Sequence, residues 1–210
     1  MKKLLRTSVT GVLIGCAFPV LAASTVDLTV KGLIVPSACM PSLSAETIDV
    51  GRVSVKDLNL DTRTQLTPVT LQMGIDCEAS TLFALTATDN RTDSANSIIE
   101  YGIGKTSAGQ RIGGYVMFLD QGVADNTPVG MIRSSDNGTT WNSMRPDMGW
   151  QTNQWISIQE IGAARVPVPV PAQNTQVALS VKPFILPAQG LTITEDTVID
   201  GSVTVEVLYL

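Results

Sequence analysis

Apolar residues recur at every second position along most of this chain. Val26, Leu28 and Val30 alternate with Asp27, Thr29 and Lys31, and the same spacing returns at Val69-Leu71-Met73-Ile75, Phe83-Leu85-Ala87, Tyr115-Met117-Leu119, Ile156-Ile158, Val177-Leu179-Val181 and Val203-Val205-Val207-Tyr209. A period of two sends alternate side chains to opposite faces of an extended backbone, so each run predicts a half-buried strand. Turn formers punctuate the runs at Asp89-Asn90, Gly113-Gly114, Asp136-Asn137-Gly138 and Asp200-Gly201. No comparable stretch carries a stripe with the helical period. Many short strands, frequent turns and no helix of consequence predict an all-β protein, an antiparallel β-sandwich. Composition does not shift between Ser24 and Leu210, which predicts one domain over 23–210 with an insertion-like middle from about Asp89 to Gly162.

The first 22 residues follow a different rule. Met1-Lys2-Lys3-Leu4-Leu5-Arg6 is a basic start, Val9 to Leu21 an apolar run, and Ala22, Ala23 and Ser24 a small-residue site, the pattern of a secretory signal peptide cut after Ala22. The run is short and broken by Gly11, Gly15 and Pro19, and so makes a poor membrane span of ~20 residues. Leu13-Ile14-Gly15-Cys16 also resembles a lipoprotein processing box, with Cys16 as the lipidated residue, but the apolar run continues past it to the conventional site. The expected location is the periplasm or cell surface.

Charge and composition then remove several functions. The chain has 14 Lys and Arg against 19 Asp and Glu; cleavage would remove Lys2, Lys3 and Arg6, leaving 11 against 19, a net charge of −8. A nucleic-acid binder needs a basic stripe, which this acidic chain lacks. There is no histidine, so Ser-His and Cys-His catalysis and His-metal sites are absent. No carboxylate-pair motif, Ser-Lys motif or phosphate-binding loop replaces them, and no EF-hand spacing occurs, so neither enzyme activity nor a cofactor or metal is expected. Cleavage would also remove Cys16 and leave Cys39 and Cys77. An even pair in an oxidising compartment predicts a disulfide, with a loop constraint of about 3 to 4 kcal/mol.

Elements at the two ends, taken with these cysteines, suggest a family. Gly32-Leu33-Ile34-Val35-Pro36-Ser37-Ala38-Cys39 follows the first alternating run, Cys77 closes the run from Val69, and Tyr209 is penultimate. In this order they resemble the chaperone-usher fimbrial subunits, or pilins. The resemblance implies an immunoglobulin-like sandwich lacking its last strand, with a groove bordered by Val203, Val205, Val207 and Tyr209. It also implies a periplasmic chaperone or neighbouring subunit that fills the groove by strand exchange, the chaperone's basic residues holding the carboxylate of Leu210. The chain departs from the pattern in three ways. Only Ala23 to Lys31 precede Gly32, a short stretch to donate to a neighbour; Gly201 stands eight residues before Tyr209, closer than is usual; and 188 residues (210 less 22) exceed a typical shaft subunit. These departures fit a fimbrial-like relative, structural or adhesive, better than a shaft pilin. The C-terminal stripe also suits the closing strand of a complete sandwich, and the alternative function is then a self-contained periplasmic binding module, with a glycan as ligand.

The middle of the chain offers three further signals. Ser134-x-Asp136-x-Gly138-x-Thr140-Trp141 is similar to the Asp-box of sialidase-like propellers, and its Asp-Asn-Gly turn predicts a hairpin. Trp141, Trp150 and Trp155 lie within fifteen residues among Asn142, Asp147, Gln151, Asn153 and Gln154, a combination of aromatic faces and amides that suits a carbohydrate site, although tryptophans so placed are more often hairpin or core residues. Strict alternation of proline in Arg165-Val166-Pro167-Val168-Pro169-Val170-Pro171 suits a strand stripped of donors on one edge or a stiff polyproline connector.

Overall fold

The computed structural model describes residues 29, 38–162 and 166–210. The leader, Cys16 and the expected strand at Val26 to Val30 lie outside the described residues, apart from Thr29. The chain divides into two units, Met1–Ile34 and Val35–Leu210, and the second carries every element below.

The described residues form eleven strands: β1 Cys39–Leu43, β2 Thr64–Gln65, β3 Val69–Thr81, β4 Phe83–Asp89, β5 Tyr101–Gly102, β6 Gly113–Ala124, β7 Thr127–Ser134, β8 Asn142–Ser143, β9 Trp155–Glu160, β10 Ala172–Ile185 and β11 Val203–Tyr209. Three single 3-10 turns are the helical elements among them. Every strand pairing is antiparallel, and one hydrogen-bonded path runs β1-β3-β10-β6-β7-β9-β4-β11, with β2 on β10, β5 on β6 and β8 on β7. This is the all-β antiparallel sandwich with one disulfide that the alternation predicts. The residues from Asp89 to Gly162 supply β6, β7 and β9 on this path and β5 and β8 beside it.

The core lies where the inward-facing residues of the two layers meet. Met73 and Ile75 of β3, Met117 and Leu119 of β6, and Val177 and Leu179 of β10 belong to one cluster with Phe83, Leu85 and Ala87 of β4 and Ile156 and Ile158 of β9. Each strand keeps its period of two: β3 buries Leu71, Met73, Ile75 and Cys77 and exposes the residues between Thr70 and Asp76, except half-buried Gly74. The turn from β6 to β7 is made by Asp125 and Asn126 at φ 49° and 66°, the left-handed pair that a two-residue hairpin requires. The Asp125 carboxylate accepts the N–H groups of Gln173 and Asn174 and ties this turn to the start of β10.

Candidate functional site: a seam between the edge strands

Among the described residues the two ends of the hydrogen-bonded path are β1 and β11, and each pairs there on one side only. β11 lies along β4 from Val203 opposite Asp89 to Tyr209 opposite Phe83. Beyond this ladder Ser202 O accepts from Asn90 N–H, and Leu210 N–H donates to Leu82 O, so the even-numbered residues turn their backbone groups to β4. The period of two therefore points the backbone groups of Val203, Val205 and Val207 away from β4, towards the unpaired edge. Their side chains pack against the core yet stay only half-buried. Val203, Val205, Val207 and Tyr209 thus alternate along one side of β11, with their backbone groups on the edge away from β4.

β1 differs in kind. Glu78 N–H donates to Ala38 O and Ser44 N–H to Gln72 O, so the even residues of β1 face β3 and the odd ones face outward. Of these, Cys39 N–H donates to the Tyr209 phenol oxygen at 2.9 Å, and Pro41 has no N–H to give. Tyr209 thus reaches from the end of β11 to the start of β1, beside the Cys39–Cys77 disulfide that joins β1 to β3. At this end of the seam the two edges are tied together.

At the other end they part. A cleft of about 960 Å³ opens there, with buried Leu71, Ile103, Ile112, Met117, Leu179 and Ile185 on its floor. Its lips are two segments outside the strands, residues 45–58 after β1, which end in a 3-10 turn at Val55–Asp57, and 193–202 before β11. Both alternate: Ile48, Val50 and Val53 are half-buried on one, and Ile193, Thr197 and Ile199 on the other, with exposed residues between. Val203 lines the cleft, whereas Val205, Val207 and Tyr209 continue the seam towards the disulfide. Tyr115 also lines the cleft and stacks on Tyr101, ring centroids 5.2 Å apart; burial pushes both phenols up, so they stay neutral.

The second candidate region is the β7–β8 hairpin. Ile132 pairs with Ser143 and Arg133 with Asn142, which is the hairpin that the Ser134-to-Trp141 spacing predicts. Ser134 Oγ donates to Asp136 Oδ1 (2.7 Å) and accepts Gly138 N–H (2.9 Å), while Asp136 takes the Thr140 hydroxyl (2.6 Å) and N–H (2.9 Å). The Thr140 hydroxyl first, then that of Ser134, lowers the Asp136 carboxyl to about 2. Asn137 and Gly138 take φ of 55° and 82°, and Gly138 lies against the rings of Trp155 and Trp141. Both tryptophans are half-buried. Trp150 stands apart in the core: it is fully buried, and its Nε1–H donates to Gln154 O. Residues 166–171 form no strand, and Val170 N–H donates to Ile158 O. Among the described residues no group of three or more acidic or cysteine side chains could hold a metal, and no helix is long and apolar enough to cross a membrane.

Sequence reasoning found β11 and the cysteines but missed the two lips and the Tyr209–Cys39 tie. The signal for the lips was present in Ile48-Val50 and in Ile193 to Ile199, diluted by threonines and acids. Nothing in the spacing marks a hydrogen bond between residues 170 positions apart.

Residues 28–99, which take in β1 to β4 and end just before β5, match a family described as "Protein of unknown function (DUF1120)". The chain is 26% identical over 224 residues to "Uncharacterized protein YhcF" of Escherichia coli (strain K12), covering 90% of this chain and 92% of the relative. A solved structure, the CsuC-CsuE chaperone–tip adhesion subunit pre-assembly complex from archaic chaperone-usher Csu pili of Acinetobacter baumannii, matches with a TM-score of 0.34 and 16% identity. That match covers 82% of this chain and 40% of the other, so this chain spans about two fifths of its length. The chain is therefore similar over most of its length to an uncharacterised Escherichia coli protein, and over 28–99 to a family of unknown function.

Proposed function

We propose that this chain is an exported, non-enzymatic fimbrial-like subunit, structural or adhesive, that receives an extended segment of another protein along β11. The observation that carries the reading is the seam. Among the described residues the edge of β11 away from β4 is unpaired and aligns with half-buried Val203, Val205 and Val207, and it runs into an apolar cleft between two segments that form no strand. Backbone groups on such an edge give an incoming strand its hydrogen bonds, and the gaps between side chains receive its alternate residues. The donor is a periplasmic chaperone or a neighbouring subunit. In this reading residues 1–22 are the cleaved leader.

The test is size-exclusion chromatography and thermal unfolding of the chain exported to a bacterial periplasm, with and without a synthetic peptide of about ten residues alternating valine with serine, long enough to span the seam. An incomplete sandwich exposes part of its core, so the protein alone should aggregate or melt low and should gain stability with peptide. A monomer with a high, cooperative transition that no peptide moves would sink the proposal.

A second reading, a glycan-binding module, is favoured by one feature: Trp141 and Trp155 are half-buried beside a rigid turn, with exposed Asn142 and Asn153 near them in sequence. It predicts sugar-dependent quenching of tryptophan fluorescence that Trp141→Ala removes and an added strand leaves intact.

A further inference from the structure

We infer that the segment received by the seam is basic: a strand of alternate apolar residues whose remaining or flanking positions carry Lys or Arg. The inference rests on the strand-receiving reading above and adds the chemistry of the partner. It comes from the distribution of charge around the cleft. Its floor is apolar, but one lip carries Glu46, Asp49 and Asp57 and the other Glu195, Asp196 and Asp200, all exposed. Arg52 is the one cation among the residues that line it; exposed Lys56 lies in the first lip but outside the lining, so that lip carries three acids against two cations and the other three acids against none. Of the six acids only Asp200 has an ion-pair partner among the described residues, Arg91 at 2.6 Å, and Asp49 accepts the N–H of Gly51 at 2.8 Å.

Carboxylates of one sign on both lips of an apolar slot concentrate a negative potential along it. Seating a strand there brings the lips' charges into a drier setting. An acidic strand adds repulsion and a neutral one leaves it unrelieved. Lys and Arg relieve it, because their aliphatic stems lie along the apolar wall while the charged heads reach the carboxylates at the lips. The floor thus selects the alternate apolar residues of the partner, and the lips select its charge.

The experiment titrates the whole exported chain with three fluorescent peptides that share one set of alternate valines and place Lys, Ser or Glu between them. The Lys peptide should bind about ten-fold more tightly than the Glu peptide at about 0.05 M salt, with the gap shrinking to about two-fold at about 0.5 M. The variant Glu46→Gln/Glu195→Gln/Asp196→Asn should lose most of that gap. The control Glu78→Gln/Asp120→Asn/Glu160→Gln, which removes as much charge from positions outside the cleft, should keep it. Equal binding of all three peptides would overturn the inference and leave the strand-receiving reading standing. A control that closes the gap as far as the lip variant would assign the preference to overall charge and overturn it too. If no peptide binds, the strand-receiving reading itself fails, and the inference falls with it.

Discussion

Removing the Cys39–Cys77 bridge should weaken the fold by an amount that the loop length sets. The bridge spans 38 residues, and loop-closure entropy for that length gives about 3.9 kcal/mol at 25 °C. In a domain of this size a loss of that order lowers the melting temperature by about 8 to 16 °C. Cys77 is buried in the core, so Cys39→Ala/Cys77→Ala should cost about 1 kcal/mol more for the emptied volume. Urea unfolding of the oxidised protein, the reduced protein and the double variant separates the two effects. Reduction should cost about 4 kcal/mol and the variant about 5. Both should steepen the dependence on urea, because an unfolded chain freed of its cross-link exposes more surface. A loss below about 1 kcal/mol on reduction, or an unchanged urea slope, would refute the entropic reasoning and mean that the loop stays compact when unfolded.

Tyr209→Phe deletes the acceptor of Cys39 N–H at a partly exposed site, so it should cost about 0.5 to 1 kcal/mol and speed exchange of the Cys39 amide; an unchanged exchange rate would mean that the tie does not hold the seam. Asp136 sits at about 2, below its ordinary value of 3.8, so its bonds to Thr140 contribute above about pH 4 and are lost as the pH falls through about 2; a Thr140 amide resonance that does not move across that window would rule this out. Gly113→Ala would drive a Cβ into the backbone of Phe184 and to 2.9 Å from Ile185 Cα where β6 crosses β10; a cost of about 1 to 3 kcal/mol in thermal unfolding is expected, and a neutral result would show that the two strands separate freely there.

What the sequence made legible follows from how regular each element is. β3, β4, β6, β9, β10 and β11 all contain alternating runs, and all six were expected at those runs. β7 escaped notice because Pro128 and Gly130 interrupt its pattern of Val129 and Met131, although both residues pair within the sheet. β1 is five residues of Cys-Met-Pro-Ser-Leu, too mixed for any period, and its partner β3 fixes it through the disulfide. For Trp150 the sequence left a carbohydrate contact and core packing both open, and the structure places it in the core. Its burial depends on Gln154 O, four residues on in irregular chain, to satisfy the indole N–H. The stripe of β11 was visible, but its place at the end of the described sheet was not, since an edge is defined by which strands fail to arrive beside it. The lips raise the same difficulty, because they line the cleft without belonging to the sheet.

Pro41 and the tied Cys39 N–H have a consequence for stoichiometry. A row of backbone groups can be extended only where donors face outward, and β1 offers almost none beside the disulfide, whereas β11 offers its odd-numbered residues. On the strand-receiving proposal, β11 rather than β1 is therefore the end of the path that takes an added strand. Titration with such a segment should then saturate at one per protein, and β1-to-β1 pairing of two copies should be disfavoured by Pro41 and the tied Cys39 N–H.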